Sequence, residues 1–144
     1  MPPRSKSTST VRKTASKISP SFLQWLKDAG ACEKAVKYCA KRASVKDAYD
    51  NCPDLDWLRW FYELALQARY LEPYEGGWDV EGYDAMVMED SAITDGMMMA
   101  LNAVRPKLTE TFKQRVWCKV FRTRISLEWI VGALQRKNPE VNFT

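Results

Sequence analysis

Arg115, Lys119 and Arg122 stand at i, i+4 and i+7, a spacing that sets three cations on one stripe of a helix. Lys113 and Arg124 flank the stripe, and Arg105 and Lys107 precede it. Cations so arranged can track phosphates, so one reading is a polyanion-binding surface. Three others stay open: a solvated helix face, a partner for the chain's own acidic 72–95 segment, or a surface for an acidic protein. Neither a Gly-rich phosphate loop nor a nucleic-acid-binding motif accompanies the stripe.

Paired carboxylates are the second set of groups capable of chemistry: Asp54/Asp56, Glu89/Asp90, and Glu72, Glu75 and Asp79. Such pairs hydrolyse substrates when their environments split their pKa values, and hold Mg²⁺ when they converge. Asp54 and Asp56 have a plainer role in the first turn of a helix, where acids complement the dipole. Glu89 or Asp90 falls near the inner stripe of its helix, which a helix break at Ser91 would explain.

Histidine is absent, which removes the commonest general base and the commonest metal ligand. The four cysteines are Cys32, Cys39, Cys52 and Cys118, with no C-x-x-C pair among them. Cys32, Cys39 and Cys52 lie on apolar helix faces, where a thiol behaves as a small hydrophobe rather than a zinc ligand. Three of them could converge where the second and third helices pack. No secretory h-region is visible near the N-terminus, so free thiols in a reducing cytosol are expected. No catalytic residue, metal site or cofactor is assigned.

Met97, Met98 and Met99 are consecutive, with Met86 and Met88 nearby. Three successive helical residues cannot share one face, so at least one methionine is expected at the surface, as an adaptable partner contact or as an unused exposed side chain.

The elements that position these groups read as helices. Residues 1–18 are Ser/Thr-rich and basic, and are expected to be a disordered tail; polyanion contact and a transit-peptide role are the competing readings. Order is expected from Ser19 as N-cap, with Pro20 in the first turn and Phe22, Leu23, Trp25 and Leu26 as the apolar face. Gly30 suits a left-handed C-cap. Cys32, Ala35, Val36, Cys39 and Ala40 mark a second helix, and Ser44 with Asp47 opens a third.

Asp54 caps a fourth helix reaching about Leu71. Its polar stripe is Asp56, Arg59, Glu63 and Gln67, with Arg59 and Glu63 spaced as an ion pair. Its apolar face is wide enough for a helix central to a bundle. Tyr83 to Val104 is helical, in one piece or two, with Ile93, Met97, Ala100, Leu101 and Val104 as its inner stripe. Leu108 to Lys137 is one long helix or two: Phe112, Val116, Val120 and Phe121 face inward first, and Ser126 caps a second part with Leu127, Ile130, Val131 and Leu134. Residues 138–144 are expected to fray.

Composition agrees with this reading. The 144 residues are 46% hydrophobic, enough for a buried core, and no paired strand runs flank a hairpin turn. The net charge of +4 hides segregation: residues 105–144 carry nine bases against three acids, while eight acids and no base lie from Glu72 to Asp95.

Residues 30–65, GACEKAVKYCAKRASVKDAYDNCPDLDWLRWFYELA, carry Gly30, Ala31, Cys32, Ala35, Tyr38, Ala48, Tyr49, Cys52, Asp56, Trp57, Leu58 and Trp60. This pattern resembles a short Cys/Trp helical element of small, uncharacterised phage and bacterial proteins. The departures are Tyr49 where Trp is usual, Pro53-Asp54-Leu55 where Arg-Gly often precedes Asp, and Arg59 where Leu is common. The resemblance spans 36 of 144 residues and implies a helical packing unit from such a genome, with no activity attached.

The expectation is an all-α chain of about six helices: a tail over 1–18, one helical domain over 19–137, and a frayed end. Its leading function is a non-enzymatic, cytoplasmic interaction protein, an accessory factor binding a host protein, with Met97, Met98 and Met99 as the partner surface. A nucleic-acid binder using the basic helix and tail is the alternative, and a metal-dependent enzyme using the 72–95 acids is a distant third. No membrane association is expected, since no apolar run approaches the ~18 residues needed.

Overall fold

The computed structural model describes residues 18–71, 79–104 and 107–144, and the side chain of every one of these except Val104. Most of the expected tail, Glu72, Glu75 and Arg105 therefore lie outside the described residues. Those described form seven helices and no strand. None of the helices is long and apolar enough to cross a membrane. The described residues fall into two compact units: residues 18–51 joined by Asn138–Thr144, and Cys52–Lys137.

In the first unit, α1 (Pro20–Asp28) starts where Ser19 accepts a hydrogen bond from the Phe22 N–H at 3.2 Å. It ends in a Schellman motif, with Gly30 N donating to Lys27 O at 3.1 Å and Ala31 N donating to Leu26 O at 3.0 Å. Gly30 has φ 98°, the conformation that favours glycine there. α2 (Glu33–Ala40) is short and buries no residue fully; Ala35, Val36 and Cys39 are half-buried.

α3 (Val45–Asp50) is capped by Ser44, which accepts from the Asp47 N–H at 3.0 Å. Asp47 completes the corner by accepting from the Ala43 N–H at 3.0 Å and binding the Arg42 guanidinium through both oxygens.

The C-terminal segment corrects an expectation. Residues 138–144 are not frayed: Val141 and Phe143 are buried, at 8% and 3% exposure. The Phe143 ring meets Phe22 and Trp25 edge-on, with centroids 5.7 and 5.2 Å apart. Ser19 Oγ donates to Asn142 O at 2.8 Å, Asn142 N donates to Ser21 Oγ at 2.9 Å, and Val45 N donates to Thr144 O at 3.1 Å. After a turn closed by the Val141 N–H to Asn138 O bond, buried Val141 and Phe143 alternate with exposed Asn142 and Thr144, and these contacts supply the order that helical periodicity does not reveal. Ile18, placed in the tail by its sequence context, is likewise buried.

In the second unit, Asp54 caps α4 (Leu55–Leu66) by accepting from the Asp56 and Trp57 N–H groups. Residues Gln67–Leu71 continue it as a π-turn. Leu55, Leu58, Phe61, Tyr62, Ala65 and Leu66 are buried, and α4 packs against α5 (Val80–Val104), α6 (Glu110–Arg124) and α7 (Leu127–Lys137), so it is central to this unit.

α5 is one continuous helix of 25 residues, with no break at Ser91 or Gly96. Its inward face is also rotated from the expected one: Asp90 and Thr94 are buried, while Ile93 is 40% exposed. α6 shows the same kind of rotation. Its buried residues are Lys113, Trp117, Cys118 and Phe121, and Phe112 is 41% exposed. The buried aliphatic stem of Lys113 substitutes for an apolar residue while Nζ reaches Glu110 Oε1 at 3.7 Å. Ser126 caps α7 by accepting from the Trp129 N–H at 3.2 Å, and Ile130, Ala133 and Leu134 are its buried residues.

Candidate partner-binding surface

The basic stripe read from the sequence is only partly a surface. Lys107, Arg115 and Lys119 are exposed, and the Arg115 guanidinium lies 5.9 Å from the centroid of the exposed Phe112 ring. Arg122 is half-buried and donates to Cys52 O at 3.1 Å. Arg124 turns inward to Asp90, and Lys113 is buried. Three of the residues placed on a polyanion-binding face are thus engaged within the unit, Arg122 by a backbone carbonyl, Arg124 by a carboxylate and Lys113 by burial.

Asp90 explains where one of these cations goes. Its side chain is 8% exposed; Oδ2 accepts from Arg59 Nε at 3.1 Å and Oδ1 accepts from Arg124 Nη2 at 3.2 Å. A second Arg59 nitrogen, Nη2, lies 3.4 Å from Ser91 Oγ. A carboxylate removed from water needs such partners, since unpaired burial costs several kcal/mol, order-of-magnitude. The expected Arg59–Glu63 pair yields to this stronger demand. One acid of the 72–95 segment is thus joined to one base of the C-terminal region inside the unit.

Beside Asp90 lies a cavity of about 310 Å³ between α4 and α5, reached by Asp56, Arg59, Trp60 and Glu63 on one side and by Val87 and Ser91 on the other. Tyr62 also borders it. Burial, reinforced by the nearby Asp90 charge, pushes the Tyr62 hydroxyl up to about 12, so it remains protonated.

The cysteines differ in burial. Cys32 is exposed and Cys39 half-buried, both in the first unit. Cys52 and Cys118 are buried in the second, and burial pushes their thiols up to about 11 and about 12. A protonated thiol is neither a nucleophile nor a metal ligand. Among the described residues, no three acidic or Cys side chains converge in a metal-holding group.

The methionines divide by helical phase. Met97 and Met98 are half-buried, whereas Met99 is 71% exposed and Met88 70%. With Met99 and Met88, residues Ala85, Ala92, Gly96 and Ala103 are all exposed and recur at intervals of three or four. They draw an apolar line about 27 Å long on the outside of α5. Exposed Glu81, Asp84, Glu89 and Asp95 border it, and α5 contains no base. The sequence pointed to the Met cluster but not to this line. The uncertain continuity of α5 across Ser91 and Gly96 hid the common phase of Met88 and Met99.

No protein-family model matches the chain, and neither does any curated protein or solved structure.

Proposed function

We propose that this chain is a non-enzymatic protein-binding module, an accessory factor of a phage or bacterial genome that binds a host protein through the outer face of α5. The observation that carries the reading is the pair Met88 and Met99, two large flexible apolar side chains each about 70% exposed on a continuous helix. Methionine adapts its shape to a partner at low cost, and an apolar line rimmed by acids suits an amphipathic helix with basic flanks. The likeness of residues 30–65 to a phage and bacterial helical element supports the proposed origin.

The test is affinity capture from bacterial lysate with the full chain and with the Met88→Asp, Met99→Asp double variant. A discrete protein retained by the first and lost by the second supports the reading. An identical capture profile for both overturns it.

Nucleic-acid binding is the second reading, favoured by the exposed Phe112–Arg115 stack with Lys119 one turn on. Aromatic and guanidinium faces can stack bases while lysines meet phosphates. Binding that falls steeply with salt and weakens on Arg115→Glu would support it over the protein-binding reading.

A further inference from the structure

The cavity between α4 and α5 carries more charge than its own residues neutralise. Asp90 is matched by Arg59 and Arg124, and the Arg59 bonds run to Asp90 and Ser91. Asp56 and Glu63 also reach the cavity, and among the described residues neither carboxylate has a hydrogen-bond or ion-pair partner. Asp56, Trp60 and Glu63 stand at i, i+4 and i+7, so two carboxylates and an indole share one side of α4. Leu66 and Val87 add apolar lining. The combination suits a flat cation on an aliphatic stem: carboxylates for the charge, a π face for the plane, and apolar side chains for the stem.

At about 310 Å³ the space is at the small end of ligand pockets and accommodates a side chain better than a cofactor. Ser91, on its border, follows Met88 by three residues, so the cavity and the outer face of α5 are neighbours on the helix surface.

We propose that this cavity is the anchor site for an arginine side chain of a basic partner helix, its guanidinium held between Asp56 and Glu63 against Trp60. The proposal rests on the protein-binding reading of α5 and names the chemistry of the partner. A second copy of this chain fits less well, because two α5 faces would bring their acidic rims together.

The probe is n-butylguanidinium chloride, titrated into the full-length chain at constant ionic strength and followed by amide and indole NMR shifts. Saturable shifts at the Trp60 indole and the Ser91 amide are expected. They should weaken roughly tenfold on Glu63→Gln or Asp56→Asn, each of which removes one charged acceptor at an exposed position and leaves the fold intact.

An absence of saturable shifts up to about 20 mM, the affinity that ordinary ligand efficiency gives a fragment of this size, overturns the anchor. So does equal affinity in Glu63→Gln. If the α5 double variant loses its captured protein while butylguanidinium fails to bind, the anchor alone is wrong. If butylguanidinium binds and capture is unaffected by the double variant, the anchor stands and the face on α5 is wrong.

Discussion

Arg124 of α6 donates through Nη2 to Asp90 Oδ1 of α5 at 3.2 Å, across 34 residues of sequence. Arg59 of α4 holds the other oxygen at 3.1 Å, so one carboxylate fastens three helices of the second unit. Asp90→Ala leaves two guanidiniums facing each other without their anion. The expected loss is about 3 kcal/mol in urea unfolding, the usual result of removing one partner from a buried pair. Arg59→Ala should cost less, because its side chain is more exposed than Asp90 and Arg124 still pairs with the carboxylate.

Phe143 is a core residue of the first unit, at 3% exposure between Phe22 and Trp25. Phe143→Ala should destabilise that unit by about 3 kcal/mol, from lost burial and the cavity left behind. Hydrogen exchange of the α1 amides, compared with those of α4, would register a loss confined to the first unit.

Thiol labelling separates the cysteines by burial. In the native chain at mildly alkaline pH, Cys32 should react fastest with a disulfide reagent and Cys39 more slowly. Cys52 and Cys118, whose thiols are pushed to about 11 and about 12 by burial, should react only on unfolding. Release of four thiols from the native state would contradict the burial seen here.

Asp47 is held below the usual carboxylate range, first by its Arg42 hydrogen bond and then by the Ala43 N–H. Because the folded value is depressed, the pair contributes stability above the unfolded carboxylate pKa. That contribution disappears as pH falls through the folded value. Arg42→Ala should raise the Asp47 titration midpoint measured by carboxyl NMR, and an unchanged midpoint would show that Arg42 is not the cause.

The starts of α1, α3, α4 and α7 are legible in the residues, because these caps depend on near neighbours, whereas α5 begins at Val80, three residues before the expected Tyr83, and α6 begins behind Thr109. Ser19, Ser44 and Asp54 cap with N–H groups two or three residues ahead, and Gly30 closes α1 through bonds to the preceding turn. The helical class follows from the same local patterns. The wide apolar face of α4 also announced its central place in its unit, since such a face needs neighbours on several sides.

Tertiary structure decided the phase of α5 and α6, and with it the candidate surface. Asp90 faces inward because its two cations arrive from 31 and 34 residues away, and no local pattern records that distance. Once Asp90 and Thr94 are inside, Met88 and Met99 must lie outside, on the opposite side of the same helix. The fate of the basic stripe was decided likewise. Spacing put Arg115, Lys119 and Arg122 together, but only packing decided that Arg122 serves the Cys52 carbonyl while Arg115 and Lys119 face solvent. Capping is settled by bonds within a turn, whereas the direction of a charged side chain depends on which partner the rest of the fold delivers to it.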